Sequence, residues 1–369
     1  MMIAFSDVFA DVTKQGTKLQ TSEYLASGKY PIIDQGQDDI AGYTDREDGL
    51  FTDVPAIIFG DHTRIVKYVD MPFFLGADGV KVLKATIPDV DYRYLYYAVS
   101  AVKIPNTGYN RHFKWLKEAQ ISLPDLSTQR RIADTLDKVS EGIALCRKML
   151  GELDLMVKAK FGEMFGDPTG NSFNLSVKPM TEVCEIIDGD RGKNYPNADE
   201  FSDEGYCLFL NAKNVTASGF NFDNCMYITK EKDDILRKGK LSRGDVVLTT
   251  RGTIGNLAFY TSDIPYEHMR INSGMVILRM NRKIINEVFF IEQFKMLLDD
   301  IKQKNASGSA QPQLPISAMR EINILLPDIE QQKIFSEFVA KSNKSRLTLQ
   351  QVLSKIELEQ KVLMQKYFG

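Results

Sequence analysis

One short pattern occurs twice in the chain and limits what it can fold into. Residues 121–139 read ISLPDLSTQRRIADTLDKV, and residues 322–341 read INILLPDIEQQKIFSEFVAK. Each passes from an apolar run through Leu-Pro-Asp to Gln, a basic residue and Ile, and then into a long helical pattern. Leu123-Pro124-Asp125 aligns with Leu326-Pro327-Asp328, and residues 129–132 align with 331–334 at one residue fewer. The likeness extends outward in the same order. Segment 108–124 parallels 308–327, segment 54–69 parallels 244–259, and 28–36 parallels 205–213. Both copies end in Phe-Gly, at Phe165-Gly166 and Phe368-Gly369. A shared order of weak matches predicts one unit used twice.

The bulk composition permits this. A chain of 369 residues at 43% hydrophobic and 26% charged is long enough for two ordinary cores and reads as globular. Cys146, Cys184, Cys207 and Cys225 are scattered with no C-x-x-C pair, which argues against a disulfide framework or a zinc site. The first residues lack the basic and apolar regions of a secretory signal, and no apolar run approaches a membrane span. The expectation is a cytoplasmic protein with no membrane partner.

Each copy divides into two parts. The first has short β-branched runs punctuated by Gly, Asn and Asp, and reads as mostly strand with a few helices. The second is a helix. In the first copy its apolar residues fall at Ile132, Leu136, Val139, Ile143, Cys146, Leu150, Leu153, Val157 and Met164, with a lapse at Lys160. Spacings of four and three describe a coiled-coil seam, and residues 129–165 would make a rod of roughly 55 Å. In the second copy Phe335, Phe338, Leu349, Val352, Ile356 and Leu363 fit a seam that Ser342 and Ser345 interrupt. Those two serines are the candidate contacts for another subunit.

The predicted fold class is α+β. Two mixed α/β domains, related by pseudo-two-fold symmetry, are separated by two long antiparallel coiled-coil helices. The boundaries expected are 1–125 for the first domain, 126–166 for the central helix, 167–177 for a linker, 178–327 for the second domain and 328–369 for the last helix.

A search for chemistry finds no G-x-G-x-x-G, Walker, H-E-x-x-H or G-x-S-x-G pattern, and His62, His112 and His268 each stand apart. The sequence does place polar residues on turn-like stretches at matching positions of the two copies. In the first these are His62, Thr63, Arg64, Tyr109, Asn110, Arg111 and Lys114. In the second they are Asn211, Lys213, Asn214, Lys238, Lys240, Arg243, Arg251, Thr253, Ser309, Gln311 and Gln313. Such side chains hydrogen-bond base edges and phosphates. The net charge of −3 requires any DNA contact to rest on local patches rather than on the total.

The two Leu-Pro-Asp hinges with their long helices, the lead-in segments 108–124 and 308–327, and the strand–tip–strand at 244–259 (weaker at 54–69) make the chain resemble the specificity subunits of type I restriction–modification systems. The resemblance implies two target-recognition domains, each reading half of a split sequence in double-stranded DNA, with the helix pair setting the unread spacer. It implies a subunit that is not catalytic and has no cofactor of its own. S-adenosylmethionine would belong to partner methyltransferase subunits, and ATP and Mg to the partner restriction subunits. From the residues alone two other readings remain: a coiled-coil adaptor with two protein-binding heads, or a nuclease or modification enzyme with an unrecognised site.

Overall fold

The computed structural model describes residues 1–76, 78–108, 110–305 and 313–369. It divides into two compact units, residues 1–149 with 349–369, and residues 150–348. The division passes through the middle of both long helices, so each unit owns half of each.

In the first unit the strands are β1 (Met2–Ala4), β2 (Phe9–Asp11), β3 (Tyr30–Ile33), β4 (Gly42–Thr44), β5 (Ala56–Gly60), β6 (Val66–Val69), β7 (Phe74–Leu75), β8 (Val80–Ala85) and β9 (Gln120–Ser122). They form a four-stranded sheet β2-β8-β5-β6, a three-stranded sheet β4-β3-β7 and the pair β1-β9. Helices α1 (Phe5–Val8), α2 (Tyr92–Ser100) and α3 (Phe113–Lys117) lie between them in sequence, and α4 (Leu126–Phe165) follows β9. Central β5, Ala-Ile-Ile-Phe-Gly, is buried on both faces, whereas edge strand β6 alternates, burying Lys67 and Val69 while Val66 and Tyr68 are half-buried.

The second unit repeats this topology. Its strands are β10 (Val177–Pro179), β11 (Cys184–Asp188), β12 (Cys207–Leu210), β13 (Val215–Thr216), β14 (Gly219–Phe220), β15 (Tyr227–Ile228), β16 (Val246–Thr249), β17 (Leu257–Phe259), β18 (Met269–Ile271), β19 (Met275–Met280) and β20 (Asn323–Leu325). The sheets are β11-β19-β16-β17, β15-β12-β18 and β10-β20, with the hairpin β13-β14 as an insertion. In both three-stranded sheets one pairing is parallel, β3 with β7 and β12 with β18, and the other antiparallel. The helices are α5 (Met180–Val183), α6 (Lys230–Ile235), α7 (Glu287–Asn305), α8 (Ile316–Arg320) and α9 (Ile329–Phe368). Apart from α6 and β13-β14, each element has a counterpart in the first unit. The α+β class and the duplication expected from sequence are therefore what the chain adopts.

The repeated hinge is the joint that fastens each long helix to its unit. Asp125 caps α4, taking hydrogen bonds from Ser127 Oγ (2.5 Å), Thr128 N (2.9 Å) and Thr128 Oγ1 (2.9 Å). Those bonds lower its carboxyl to about 2. Four residues on, buried Gln129 donates Nε2 to Pro124 O (2.8 Å) and accepts Asp91 N on Oε1 (3.1 Å). Asp91 is the N-cap of α2. In the second unit Gln332, fully buried, donates Nε2 to Pro327 O (2.8 Å) and Ile284 O (3.1 Å) and accepts Asn286 N on Oε1 (2.9 Å). Asn286 caps α7 through Val288 N and Phe289 N. Both glutamines lie four residues after the hinge Asp, bonded N to O at 2.9 and 3.1 Å.

This corrects the sequence alignment. Gln129 corresponds to Gln332, not Gln331, and no residue is missing between the copies. In the corrected register buried Ile132 matches buried Phe335, while Ile334 is 59% exposed.

Within each unit the halves of α4 and α9 pack antiparallel. In the first unit Ser140 bonds Gln360 (3.0 Å) and Arg147 pairs with Glu357 (2.8 Å), with Ile132, Leu136, Ile143 and Cys146 buried on α4. In the second unit Asp154 pairs with Arg346, and Phe161, Phe165, Phe289 and Phe335 form one aromatic cluster with centroids 5.0–6.1 Å apart. The expected lapse at Lys160 marks a change of face, since the buried stripe passes to Phe161 and Phe165. Ser342 also departs from expectation. It continues the buried Phe335–Val339 stripe at 4% exposure, facing its own unit rather than a partner, whereas Ser345 is exposed.

The clamp makes a direct prediction. Gln332→Ala strips the buried Pro327 carbonyl and the half-buried Asn286 N–H and Ile284 carbonyl of their partner and should lower unfolding free energy by about 2–4 kcal/mol. Gln331→Ala, on the exposed side, should change it by less than about 0.5 kcal/mol. Urea denaturation of the two variants distinguishes the registers.

Candidate nucleic-acid interface

In both units the turn at one end of the four-stranded sheet is drawn against the segment that leads into the short helix before the hinge. In the second unit this turn, residues 250–256, joins β16 to β17, with Gly252 and Gly255 at positive φ (74° and 86°). Thr249 Oγ1 accepts Asn256 N (3.0 Å) and closes the turn. Thr250 N donates to Gly274 O (2.9 Å), and Leu314 N donates to Thr250 O (3.1 Å). Arg251 forms a β-bridge with Gln313. Both side chains are exposed, and neither has a side-chain hydrogen bond among the described residues.

Further loops join the same end. Asn256 Nδ2 donates to Val215 O (2.9 Å) and Asn272 N to Leu210 O (3.1 Å), which brings in the turn 211–214 with exposed Lys213. Arg191 Nη2 bonds Asp188 Oδ1 (3.0 Å) and Ser273 O (3.2 Å). Asp190, buried, accepts Gly192 N (2.8 Å) and Arg237 N (2.8 Å), which tie 188–192 to 237–239. The approach needs glycine: a Cβ on Gly189 would lie 2.2 Å from Asn272 O. The outcome is a rim that exposes Arg191, Lys193, Lys213, Arg237, Lys238 and Arg251.

A buried ionic lock holds the basic loop. Arg270 on β18 is 4% exposed and pairs with fully buried Asp233. It also donates to Lys238 O (2.7 Å), Asp233 O (2.7 Å) and Leu236 O (2.9 Å). Lys240 completes the lock by pairing with Asp233. Burial pushes the Asp233 carboxyl up, but the bonds and charges of Lys240 and Arg270 outweigh it and hold it below the ordinary range.

In the first unit the equivalent turn 60–65 joins β5 to β6. Asp61 N donates to Gly79 O (2.6 Å), and His112 N to Asp61 O (2.7 Å). Asp61 Oδ1 accepts Phe113 N (2.7 Å), and the buried His112 ring sets Nδ1 3.0 Å from Asp61 O. His62 Nδ1 lies 3.2 Å from Asn110 O. By these bonds His62 and Arg111 stand where Arg251 and Gln313 stand in the second unit. Sequence grouped 60–64 and 108–114 only as two turn-like stretches; the structure joins them.

The fate of each candidate follows from its bonds. His62, Asn110, Arg111, Lys213, Lys238, Arg251, Thr253 and Gln313 lie on these rims. Thr63 is exposed but its hydroxyl donates to Gln35 O (2.7 Å), and Arg64, at φ 65°, reaches Ile104 O (3.4 Å). Lys114 rests on the Trp115 ring, 4.8 Å from its centroid. Asn211 caps its turn by accepting Lys213 N (2.9 Å). Asn214 is 1% exposed and donates to Asn221 O (3.0 Å) and Asn224 O (2.9 Å), so its amide serves the fold and faces no ligand. Arg243 stands at the other end of β16, over the Tyr260 ring (4.2 Å) and bonded to Tyr266 O (3.0 Å). Tyr109, Ser309 and Gln311 lie outside the described residues. Sequence reading missed Arg191, Lys193 and Arg237; for the first two the Gly-flanked basic turn 189–193 after β11 was the available signal.

Two copies of one α+β unit, each fastened by a hinge to a long helix and each presenting a loop rim, define a duplicated recognition subunit. The model of the family described as "Type I restriction modification DNA specificity domain" matches residues 2–154 and again 174–360, and the chain belongs to that family. The specificity subunit of the type I restriction enzyme EcoR124I/EcoR124II from Escherichia coli is 26% identical over 165 residues, covering 40% of this chain and 40% of that protein. The match thus spans well under half of that relative. The crystal structure of a type I restriction–modification S subunit from M. genitalium aligns over 100% of this chain and 96% of its own, with a TM-score of 0.58 and 20% identity. A chain solved in work on complex assembly and conformational transition of the type I R-M system aligns over 100% and 97%, with a TM-score of 0.55 and 15% identity. At such identities these two likenesses bear on the fold.

Asp233→Asn leaves Arg270 buried against a neutral partner and should cost about 3–5 kcal/mol at neutral pH. The folded carboxyl titrates below the ordinary 3.8, so the lock's contribution is complete above that value and is lost as pH falls through the lower folded one. Urea titrations of both proteins at about pH 7 and about pH 3.5 should show the difference shrinking in acid.

Proposed function

We propose that this chain is the non-catalytic DNA-recognition subunit of a type I restriction–modification complex, with each unit reading one half of a bipartite target. The observation that carries the reading is the equivalence of the two rims, Arg251 with Gln313 and His62 with Arg111, at the same end of the same sheet in two units of one topology. A duplicated reader suits a target with two halves. Arginine and glutamine are side chains that make paired hydrogen bonds to guanine and adenine edges in the major groove.

The spacer between the halves would be set by segments 126–166 and 328–369, carried by α4 and α9, each 40 residues long. B-DNA turns once in about 34 Å, and a helix of this length is long enough for half-sites one turn apart. Methyltransferase subunits using S-adenosylmethionine, and a restriction subunit using ATP and Mg, would dock on the helices. Exposed apolar residues there support this: Leu145 (57%) on α4, and Leu347 (58%), Leu358 (62%) and Val362 (58%) on α9.

Arg251→Ala should relax or weaken recognition of one half-site by about 1–3 kcal/mol and leave the other intact. Binding to a panel of half-site variants by the assembled complex measures this, and equal loss on every sequence would reduce Arg251 to a phosphate contact. Inserting seven residues into 132–160 alone should abolish binding, while matched insertions in both helices should lengthen the accepted spacer. A spacer preference indifferent to helix length would refute the ruler.

A further inference from the structure

The two rims share a backbone and differ in charge. Leu241 N donates to Met269 O (2.9 Å) in the second unit as Phe51 N donates to Phe73 O (3.0 Å) in the first. One residue pair back along each loop stands a glycine with φ 84°, Gly239 and Gly49. This fixes the register between the loops: Arg237 corresponds to Glu47, and Lys238 to Asp48. All four side chains are exposed. Their backbones are held by different means, the Asp190 and Arg270 bonds in the second unit and the Thr17 N to Gly49 O bond (3.2 Å) in the first.

The neighbours follow the same division. In the second unit Arg191 and Lys193 stand beside Arg237, whose guanidinium lies where a Cβ on Gly192 would be 3.1 Å away. The acidic groups there are turned into the fold: Asp190 is buried and accepts backbone N–H groups, Asp233 is buried against Arg270 and Lys240, and Asp188 is taken up by Arg191. In the first unit Asp78 is 95% exposed and pairs with Lys18 (3.0 Å), and Glu47 pairs with Lys29 on the surface. Asp45 and Asp48 add to the same loop, against one cation within it, Arg46, whose Nε donates to Asp48 O (3.0 Å).

We infer that the two units hold DNA unequally: the second supplies the grip on the phosphate backbone through Lys193, Arg237 and Lys238, and the first presents at the equivalent place an edge that repels phosphate. This rests on the DNA-recognition reading and deepens it. The net charge of −3 is then no obstacle, because the cations are gathered on one rim with their local counter-charges spent on the fold. The first half-site would be held mainly by uncharged and base-edge contacts once the second has docked.

The test is the binding of the full chain to a 30-base-pair duplex of random sequence over a salt series, read by fluorescence anisotropy. Each phosphate contact contributes about 0.9 to the slope of log affinity against log salt. Arg237→Gln with Lys238→Gln should lower the slope by about 2 and weaken binding at least tenfold at about 50 mM salt. Glu47→Gln with Asp48→Asn should strengthen binding severalfold. An unchanged slope in the first variant, weaker binding in the second, or no wild-type binding at low salt would each overturn the inference. All four positions are exposed, and the thermal midpoint of each variant checks that the fold is kept. A chain that fails this test yet still directs methylation to a bipartite sequence would keep the recognition reading and lose only the inequality.

Discussion

A buried glutamine at the start of each long helix governs the rest of the structure. Gln129 and Gln332 each bond the proline carbonyl of their own hinge and the N–H of the residue that caps the unit's main helix. Three structural pieces meet at that one amide: the strand leaving the unit, the helix beginning after it, and the helix packed across the sheet. A buried amide left without partners costs more than most packing contacts contribute. The direction in which each long helix departs is therefore fixed by hydrogen bonds rather than by apolar packing alone.

The rims obey a related logic. Their loops are irregular, but their backbone donors and acceptors are spent on one another, at Thr250 with Gly274 and Leu314, and at Asp61 with Gly79 and His112. Side chains such as Arg251, Arg237 and Lys238 are left over and point to solvent from a rigid frame. The side chains available to a ligand are those the fold does not consume. By the same test Asn214 and Arg243, chemically suitable for DNA contact, belong to the architecture.

Much of this was legible in the sequence because duplication leaves its trace in order as well as in residue identity. The hinge, the strand–tip–strand segments and the terminal Phe-Gly pairs all reappear as matched elements. The errors came where sequence lacks depth information. Gln331 and Gln332 are equally plausible partners for Gln129 on paper, and only burial separates them. The apolar stripe of α4 changes face near Lys160 because Phe161 and Phe165 turn toward Phe289 and Phe335, a choice made by tertiary packing. Ser342 looked like an interruption because a small polar residue on a seam reads as a gap, although it is buried, at 4% exposure. The basic rim was half seen: Lys238 and Arg251 lie in one basic stretch, whereas Arg191 and Lys193 reach it from fifty residues upstream through glycines that let the loops touch.

The central claim is that one chain specifies both halves of a split DNA target. Genome-wide mapping of methylated adenines, in cells carrying this chain with its methyltransferase partner and in the same cells without the chain, tests it most directly. The account predicts a bipartite motif with a fixed spacer that disappears when the chain is removed. A methylation pattern that is unchanged by its loss, or one with a single undivided motif, would contradict it.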